Sequence, residues 1–306
     1  MQRHGGEILF FLILGIFLTG FLGNGFMALV TCIDWIKTKK VSAVDLILVA
    51  LAISRISLLS IIKLKSLLLT FFLDGLTEKQ RILDILWVLS HFSSVWFATS
   101  LSIFYFLRIA NFSHPFFFWL KWRIKQVVCI LLVGPLLMSL SVEFLLLESI
   151  YHNRTLSSTE NERNESQEVQ VNSNQYFIEQ IGLNFLNVPP LFLSTISCFL
   201  LLLSLWKHAQ RMQLKVQTSR DPSSEAHIRA MKATLSFLIL LLLYFVGIYI
   251  TYKNFSTLTS IFGVAVMSLY PSGHTFILIL WNSKLRLTAI LVCGKIKCYL
   301  RGILGR

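Results

Sequence analysis

Seven long apolar runs follow one another almost from end to end of this chain of 306 residues. A helix needs about 20 apolar residues to cross the hydrocarbon of a bilayer, and each run reaches that length. With 55% hydrophobic residues and a mean hydropathy of +0.69, a soluble domain could not bury this much apolar surface. The sequence therefore predicts an all-α membrane protein, a bundle of seven transmembrane helices. The expected spans are residues 8–31, 44–72, 82–110, 126–147, 181–206, 230–252 and 259–281.

Most of the basic residues between these runs fall on one predicted side of the membrane. Nineteen Lys and Arg residues fall on one predicted face and six on the other. Because cytoplasmic loops retain Lys and Arg, this bias predicts a multi-pass membrane protein with an extracellular N-terminus and a cytoplasmic C-terminus. The charge lies in short blocks rather than in one patch, which argues against nucleic acid as a partner. The first run is too long for a signal peptide, and its basic cluster follows it rather than preceding it.

The chain after the seventh run differs from the rest. Leucines and cations alternate from residue 283 onward, a pattern typical of a short amphipathic helix that contacts membrane lipids at the inner leaflet. We therefore expect a transmembrane domain over residues 1–282 and a cytoplasmic helix and tail over residues 283–306. The sequence permits palmitoylation at Cys293 or Cys298. None of the five cysteines lies in a predicted outer loop, so no extracellular disulfide framework is expected.

The longest predicted outer connection, residues 149–179, is rich in Asn, Ser, Gln and Glu and is expected to be poorly ordered. It contains two sequons, Asn153-Arg154-Thr155 and Asn164-Glu165-Ser166. Both fall on the face that the charge bias places outside. We therefore expect glycosylation at Asn153 and Asn164.

One cation lies deep in the second predicted span. Arg55 is about 11 residues into that span, or roughly 17 Å at 1.5 Å per residue. Such a residue should face the bundle and meet a polar partner, and Asn24 in the first span lies at similar depth. Arg55 is either a clamp between helices or a switch whose hydrogen bonds differ between two states.

A group of aromatic and polar residues points to a ligand site nearer the outer face. Trp87 and His91 are four residues apart and therefore share a helical face. This combination suits small amphipathic molecules, although interhelical packing with a satisfied histidine would produce the same pattern. Tyr244 is a candidate for the cavity floor. Lys65 either extends to the headgroups or lines the cavity, where it would favour anionic ligands.

The seventh predicted span contains Tyr270-Pro271-Ser272-Gly273-His274, which predicts a kink with a buried histidine beside it, either a hinge or a fixed bend. The sequence contains no nucleophile–base pair, phosphate loop or metal-ligand spacing, so no enzyme activity, cofactor or metal is expected. Carboxylates deep in the spans are missing, which disfavours a proton-coupled transporter.

Several segments together resemble the bitter taste receptors, the type 2 taste receptor family of G-protein-coupled receptors. The longest matching segment is WFATSLSIFYFLRIANFSH at residues 96–114. The others are LGN at 22–24, LAISR at 51–55, WLKWR at 119–123, SLWKH at 204–208, EAHIRAMK at 225–232, YPSGH at 270–274 and NSKLR at 282–286. Within this pattern Arg108 stands where lysine is more familiar, Thr275 where serine is commoner and Trp281 where glycine is usual.

The resemblance implies a receptor for small bitter compounds that bind in an outward-facing helix-bundle cavity. It also implies coupling to a heterotrimeric G protein, of the gustducin type or with another inhibitory-class alpha subunit and its beta-gamma pair, and signalling through phospholipase C and calcium. Family ligand positions map onto Lys65, Trp87, Val88, His91, Phe92, Tyr244 and Val264. Positions for switching and G-protein coupling map onto Asn24, Arg55, Tyr105, Arg108, Ser204, His208, Lys232 and His274. The alternatives are another seven-helix chemosensory receptor of the pheromone type and a small transporter.

Overall fold

The computed structural model describes residues 2–71, 77–110, 115–159, 187–213, 222–252 and 257–304, and these residues form helices and their caps. The helices of the described residues are α1 (Gln2–Thr38), α2 (Ala43–Phe71), α3 (Thr77–Ile109), α4 (Pro115–Trp122), α5 (Ile124–Thr159), α6 (Val188–Gln213), α7 (Pro222–Tyr252), α8 (Thr257–Trp281) and α9 (Ser283–Leu304).

Six stretches within the described helices are long and apolar enough to cross a membrane, one in each of α1, α2, α3, α5, α7 and α8. A seventh stretch, Val188–Ser204 in α6, is apolar but shorter. The predicted fifth span began at residue 181, and residues 181–186 lie outside the described part of the chain. In the structure α6 begins at Val188. Pro189 and Pro190 then fall in its first turn, where proline's missing N–H loses no hydrogen bond within the helix. The carbonyl of Asn187 accepts a hydrogen bond from Leu191 N at 3.2 Å.

The bundle is apolar on its outer faces, and its mainly apolar core also contains buried polar side chains. Large apolar side chains are exposed on the outer faces of the helices, among them Leu22 and Ile130, each 68% exposed. Polar side chains, including Asn24 and Arg55, are completely buried. A soluble protein does not expose apolar surface along every helix, so this distribution fits a bundle whose outer faces contact lipid.

Helix α3 lies at the centre of the bundle. Its apolar stretch is 72% buried, against 22% for that of α5. It contacts α2, α5, α6 and α7. Helix α8 packs most extensively on α7 and next on α1. Residues on α3 are therefore placed to meet side chains from most of the other helices.

Helices α7 and α8 approach each other closely at two glycines. A Cβ added at Gly247 would lie 2.8 Å from the carbonyl oxygen of Gly263, and one added at Gly263 would lie 2.9 Å from the carbonyl oxygen of Gly247. No larger residue fits at either position unless the two backbones separate.

Capping residues explain several helix boundaries. Lys39, with a φ of 52°, reverses the chain after α1 and donates its N–H to Trp35 O at 2.8 Å. The hydroxyl of Ser42 accepts from Asp45 N at 3.3 Å at the start of α2. The side-chain oxygen of Asn282 accepts from Lys284 N at 3.1 Å, which separates α8 from α9.

Two expectations about segments need correction, and a third stays a prediction. Helix α5 continues to Thr159, so the predicted loop from residue 149 starts about 11 residues too early. Polar residues continue a helix outside the hydrocarbon because its hydrogen bonds are internal. The segment 270–274 lies inside α8, which runs from Thr257 to Trp281 with Pro271 in its interior, and a kink there stays a prediction. The C-terminal helix is not short, since α9 has 22 residues.

The short helix α4, which was not expected, lies between α3 and α5. Its Phe117 is buried against Leu107 and Ala110 at the end of α3. Lys121 donates to the carbonyl of Ala110 at 3.4 Å and so satisfies an acceptor left free where α3 ends.

Candidate functional site

The buried guanidinium of Arg55 is held by two side chains of α8. Its Nη1 donates to Thr275 Oγ1 at 3.1 Å, and its Nη2 donates to His274 Nδ1. Arginine has no acceptor, so His274 Nδ1 must accept and the proton of this neutral imidazole is on Nε2. The expected burial of Arg55 and His274 in the bundle is confirmed, with exposures of 0% and 2%.

Asn24 joins the same network from α1. Its amide nitrogen donates to the carbonyl of Pro271 at 3.0 Å, and its oxygen accepts from Thr275 Oγ1 at 2.8 Å. The expected partnership of Asn24 with Arg55 is therefore indirect, because the hydroxyl of Thr275 lies between them. We call Asn24, Arg55, His274 and Thr275 the polar cluster. It ties α1, α2 and α8 together.

Trp87, His91 and Tyr244 form a second group, which we call the aromatic stack. The rings of Trp87 and His91 are 5.7 Å apart and nearly parallel, at 12°. Those of His91 and Tyr244 are 4.6 Å apart at 11°. All three residues are buried. The sequence correctly placed Trp87 and His91 on one face of α3, and Tyr244 of α7 completes the stack.

Tyr270 joins the aromatic stack to the polar cluster. Its ring meets that of Tyr244 edge to face at 5.6 Å. Its hydroxyl lies 3.1 Å from Ser94 Oγ, and the Arg55 guanidinium carbon lies 5.4 Å from its ring centroid. Tyr270 was not among the predicted site residues. The signal was present, because Tyr270 and His274 are four residues apart and must share a helical face.

The remaining predicted ligand residues do not all join the stack. Phe92 is buried and packs its ring edge to face with Trp96 at 6.2 Å. Val264 is buried in the main core, and Val88 packs against that core. Lys65 bonds Asp84 Oδ1 and lies 5.2 Å from the Trp87 ring centroid. Its ammonium is therefore paired with a carboxylate, and its role toward anionic ligands stays a prediction.

The remaining predicted coupling residues lie on α3, α6 and α7. Tyr105 packs against Phe104 at 6.2 Å, and Arg108 lies over the same ring at 5.9 Å. Ser204 is buried in α6, and Lys232 is exposed on α7. The side chain of His208 lies outside the described residues.

The predicted modification sites are only partly described. The backbone of Asn153 is helical and forms part of α5, whereas Asn164 lies outside the described residues. Cys293 and Cys298 are exposed thiols on α9.

Comparison with known proteins identifies the family. The family profile described as Taste receptor protein (TAS2R) matches residues 1–297. The chain belongs to this taste receptor family. Taste receptor type 2 member 7 of Macaca mulatta is 41% identical over 301 residues, which cover 96% of this chain and 95% of the relative. The member 7 receptor of Rattus norvegicus is 40% identical, with 93% and 94% covered.

A second type of relative matches nearly as well. Taste receptor type 2 member 9 of Papio hamadryas is 41% identical over 296 residues, which cover 95% of this chain and 94% of the relative. As a taste receptor with several apolar spans, the chain is a multi-pass membrane protein and belongs with receptors rather than with enzymes.

Proposed function

We propose that this chain is a bitter taste receptor, a G-protein-coupled receptor of seven transmembrane helices in the plasma membrane. The taste receptor family supports this function, and the helical bundle with exposed apolar faces supports the location. Helix α6, with its apolar stretch Val188–Ser204, supplies the seventh crossing. Residues 1–282 are the receptor domain, with the N-terminus outside.

The bias of basic residues toward one side supports this orientation. In this orientation α9 would lie at the inner leaflet, where its exposed thiols Cys293 and Cys298 would be accessible to palmitoylation. Asn153 and Asn164 would be glycosylated outside. Antibody mapping of the two chain ends tests the topology, since both ends in one compartment would contradict it.

The observation that carries the proposal is a continuous series of contacts from the aromatic stack to the polar cluster. Tyr244 touches both His91 and Tyr270, and Tyr270 touches Arg55. A ligand that moves Tyr244 therefore moves a ring in direct contact with the Arg55 side chain. The series links α3, α7, α8 and α2, so a change at one end alters helix packing at the other.

The stack also limits where an agonist can bind. Rings 4.6 Å apart are in contact, so no ligand fits between His91 and Tyr244 unless they separate. An agonist would either press against the stack from the side of Trp87 or open it. Only a ligand with different affinities for the two states shifts their populations, and a complete shift needs up to about 5.5 kcal/mol.

The G protein would bind at the cytoplasmic ends of α3, α6 and α7. The exposed cations Arg108 and Lys232 support this placement. The other predicted coupling residues are Tyr105 on α3 and Ser204 and His208 on α6. A gustducin-type or other inhibitory-class alpha subunit, with its beta-gamma pair, would activate phospholipase C and release calcium.

A calcium assay in cells that express a chimeric G protein tests the ligand site, with an agonist found by screening bitter compounds. Trp87→Ala and His91→Ala each remove a ring from the stack. Aromatic pairs contribute about 0.5–1.5 kcal/mol beyond area burial, so agonist potency should fall at least about tenfold once the lost contact area is added. Leu86→Ala, at an exposed neighbour on α3, is the matched control and should retain normal potency.

Unchanged potency in both variants, at normal surface expression, would contradict the proposed site. The bitter-compound screen separates a bitter taste receptor from a pheromone-type receptor. Solute uptake without nucleotide exchange on any G protein would instead favour the transporter.

A further inference from the structure

Helix α9 packs against the bundle at its beginning and leaves it soon afterwards. Leu285 is buried, and Lys284 pairs with Asp34 of α1, but every residue from 290 to 299 is exposed. A Cβ added at Gly294, in the middle of this stretch, would meet no atom within 4 Å. We call residues 290–299 the free segment of α9, and among the described residues it is open to a partner on all sides.

The free segment has apolar side chains on opposite sides. Ile290 and Tyr299 are nine residues apart, or about 180° around an ideal helix, and they are 62% and 72% exposed. Leu291 and Ile296, which are also exposed, are five residues apart, or about 140° around the helix. A helix that lies on a lipid leaflet buries one face and leaves the other in water. The leaflet therefore cannot cover both Ile290 and Tyr299.

The charge of α9 has one sign. Ser283–Leu304 contains five Lys and Arg residues and no Asp or Glu, and Lys295 and Lys297 lie inside the free segment. A basic helix that also carries apolar residues is typical of membrane surfaces and of the targets of calmodulin-like proteins. These acidic proteins have two lobes, and calcium opens a methionine-rich apolar groove in each lobe that binds one side of a target helix. The two-sided apolar pattern favours such an enclosing partner over a flat leaflet.

We propose that the free segment of α9 is the docking site of an acidic, calcium-loaded protein with two lobes, of the calmodulin class. Ile290 and Tyr299 would fill the apolar grooves of the two lobes, about 13–14 Å apart along the helix at 1.5 Å per residue. Lys295 and Lys297 would meet the acidic rims of those grooves. The inference rests on the proposed function, which places α9 in the cytoplasm and supplies the calcium. The signal of the receptor would thus load the partner that binds it.

The test uses purified full-length receptor in phosphatidylcholine nanodiscs, with fluorescently labelled calmodulin as the probe. Fluorescence anisotropy gives its affinity in the presence of calcium and in the presence of EGTA, without any G protein. Calmodulin should bind in calcium, and EGTA should abolish binding because the grooves close. Ile290→Ala and Tyr299→Ala should each weaken binding about tenfold, since each removes a large apolar side chain from one groove.

Matched controls locate the effect on the free segment. Leu46→Ala removes an exposed leucine near the start of α2 and should leave calmodulin affinity unchanged. Lys295→Gln combined with Lys297→Gln should weaken binding, and the difference from the wild type should shrink at high salt. Lys37→Gln combined with Lys40→Gln makes the same charge change at exposed residues outside α9 and should have no effect.

The inference is overturned if calmodulin shows no calcium-dependent binding, which would leave the lipid leaflet as the partner of α9. It is also overturned if only one of Ile290→Ala and Tyr299→Ala weakens binding, because that result describes a one-sided contact. Leu291→Ala and Ile296→Ala serve as the second pair if either variant does not fold.

Two further outcomes separate this inference from the proposed function. Calcium-dependent binding of calmodulin to a receptor that activates no G protein would refute the proposed function alone. Normal calcium responses to bitter compounds without calmodulin binding would refute this inference alone.

Discussion

Arg55 is a fully buried cation, and three contacts with α8 stabilise it. An isolated charge in this position would cost several kcal/mol, so its partners matter more than its own interactions with the core. The hydroxyl of Thr275 satisfies two of the cluster's groups at once, because it accepts from Arg55 and donates to Asn24.

Replacing Thr275 with valine keeps the shape of the side chain and removes this hydroxyl. Arg55 Nη1 and Asn24 Oδ1 each lose a partner in the bundle interior, so the receptor should lose about 1–3 kcal/mol of stability. The thermal unfolding midpoint of the purified protein measures the loss. Thr275→Ser keeps the hydroxyl and is the control, and a valine variant as stable as the serine variant would refute the argument.

The sequence predicted the burial of Arg55 but not its partners. A charge within an apolar run must face the bundle, and this follows from local sequence alone. Thr275 lies 220 residues from Arg55 along the chain, and only helix packing brings the two together. Asp84 was overlooked for a related reason, since its place near a helix end did not indicate that Lys65 lies across from it.

At the scale of the helix, the periodicity of α3 was predictable and the helix ends were not. Trp87, His91 and Ser94 recur every three to four residues and do lie toward the centre of the bundle. Helix ends depend on caps rather than on hydropathy. Lys39, which ends the turn after α1, is a non-glycine residue with positive φ, a conformation that no apolar pattern reveals.

Lys39→Gly should stabilise the connection between α1 and α2. The left-handed conformation costs an L-residue about 1–2 kcal/mol, and the greater freedom of glycine in the unfolded chain cancels about half of the gain. We therefore expect about 0.5–1 kcal/mol more stability, measured by thermal unfolding. Lys40→Gly removes the same charge at a residue without positive φ and should not stabilise, so equal effects of the two changes would contradict this reasoning.

At the scale of the molecule, ion pairs connect the start of α9 to α1 and α2. Lys284 at the start of α9 lies 2.5 Å from Asp34 Oδ2 in α1 and 3.7 Å from Asp45 Oδ1 in α2. Its side chain and that of Asp34 are partly exposed, so each ion pair is worth at most about 1 kcal/mol. Together they hold the direction in which α9 leaves the bundle.

Lys284→Met should loosen the beginning of α9 without unfolding the bundle. Loss of about 0.5–1 kcal/mol predicts about twofold to fivefold faster amide exchange in residues 283–292. Hydrogen exchange read by mass spectrometry measures this rate. Lys295→Met removes an exposed cation elsewhere on α9 and should leave the rate unchanged. Equal exchange in both variants would show that the ion pairs do not anchor the helix.

The glycine contact between α7 and α8 has a mechanical consequence. Gly247 lies near the last residue of α7 and Gly263 near the first turns of α8, so the two backbones meet close to the ends joined by residues 253–256. Two helices that stay in contact at one end can separate only at the other end. If α7 and α8 separate, they therefore rotate about the contact of Gly247 with Gly263, and the largest displacement is at Pro222 and Trp281.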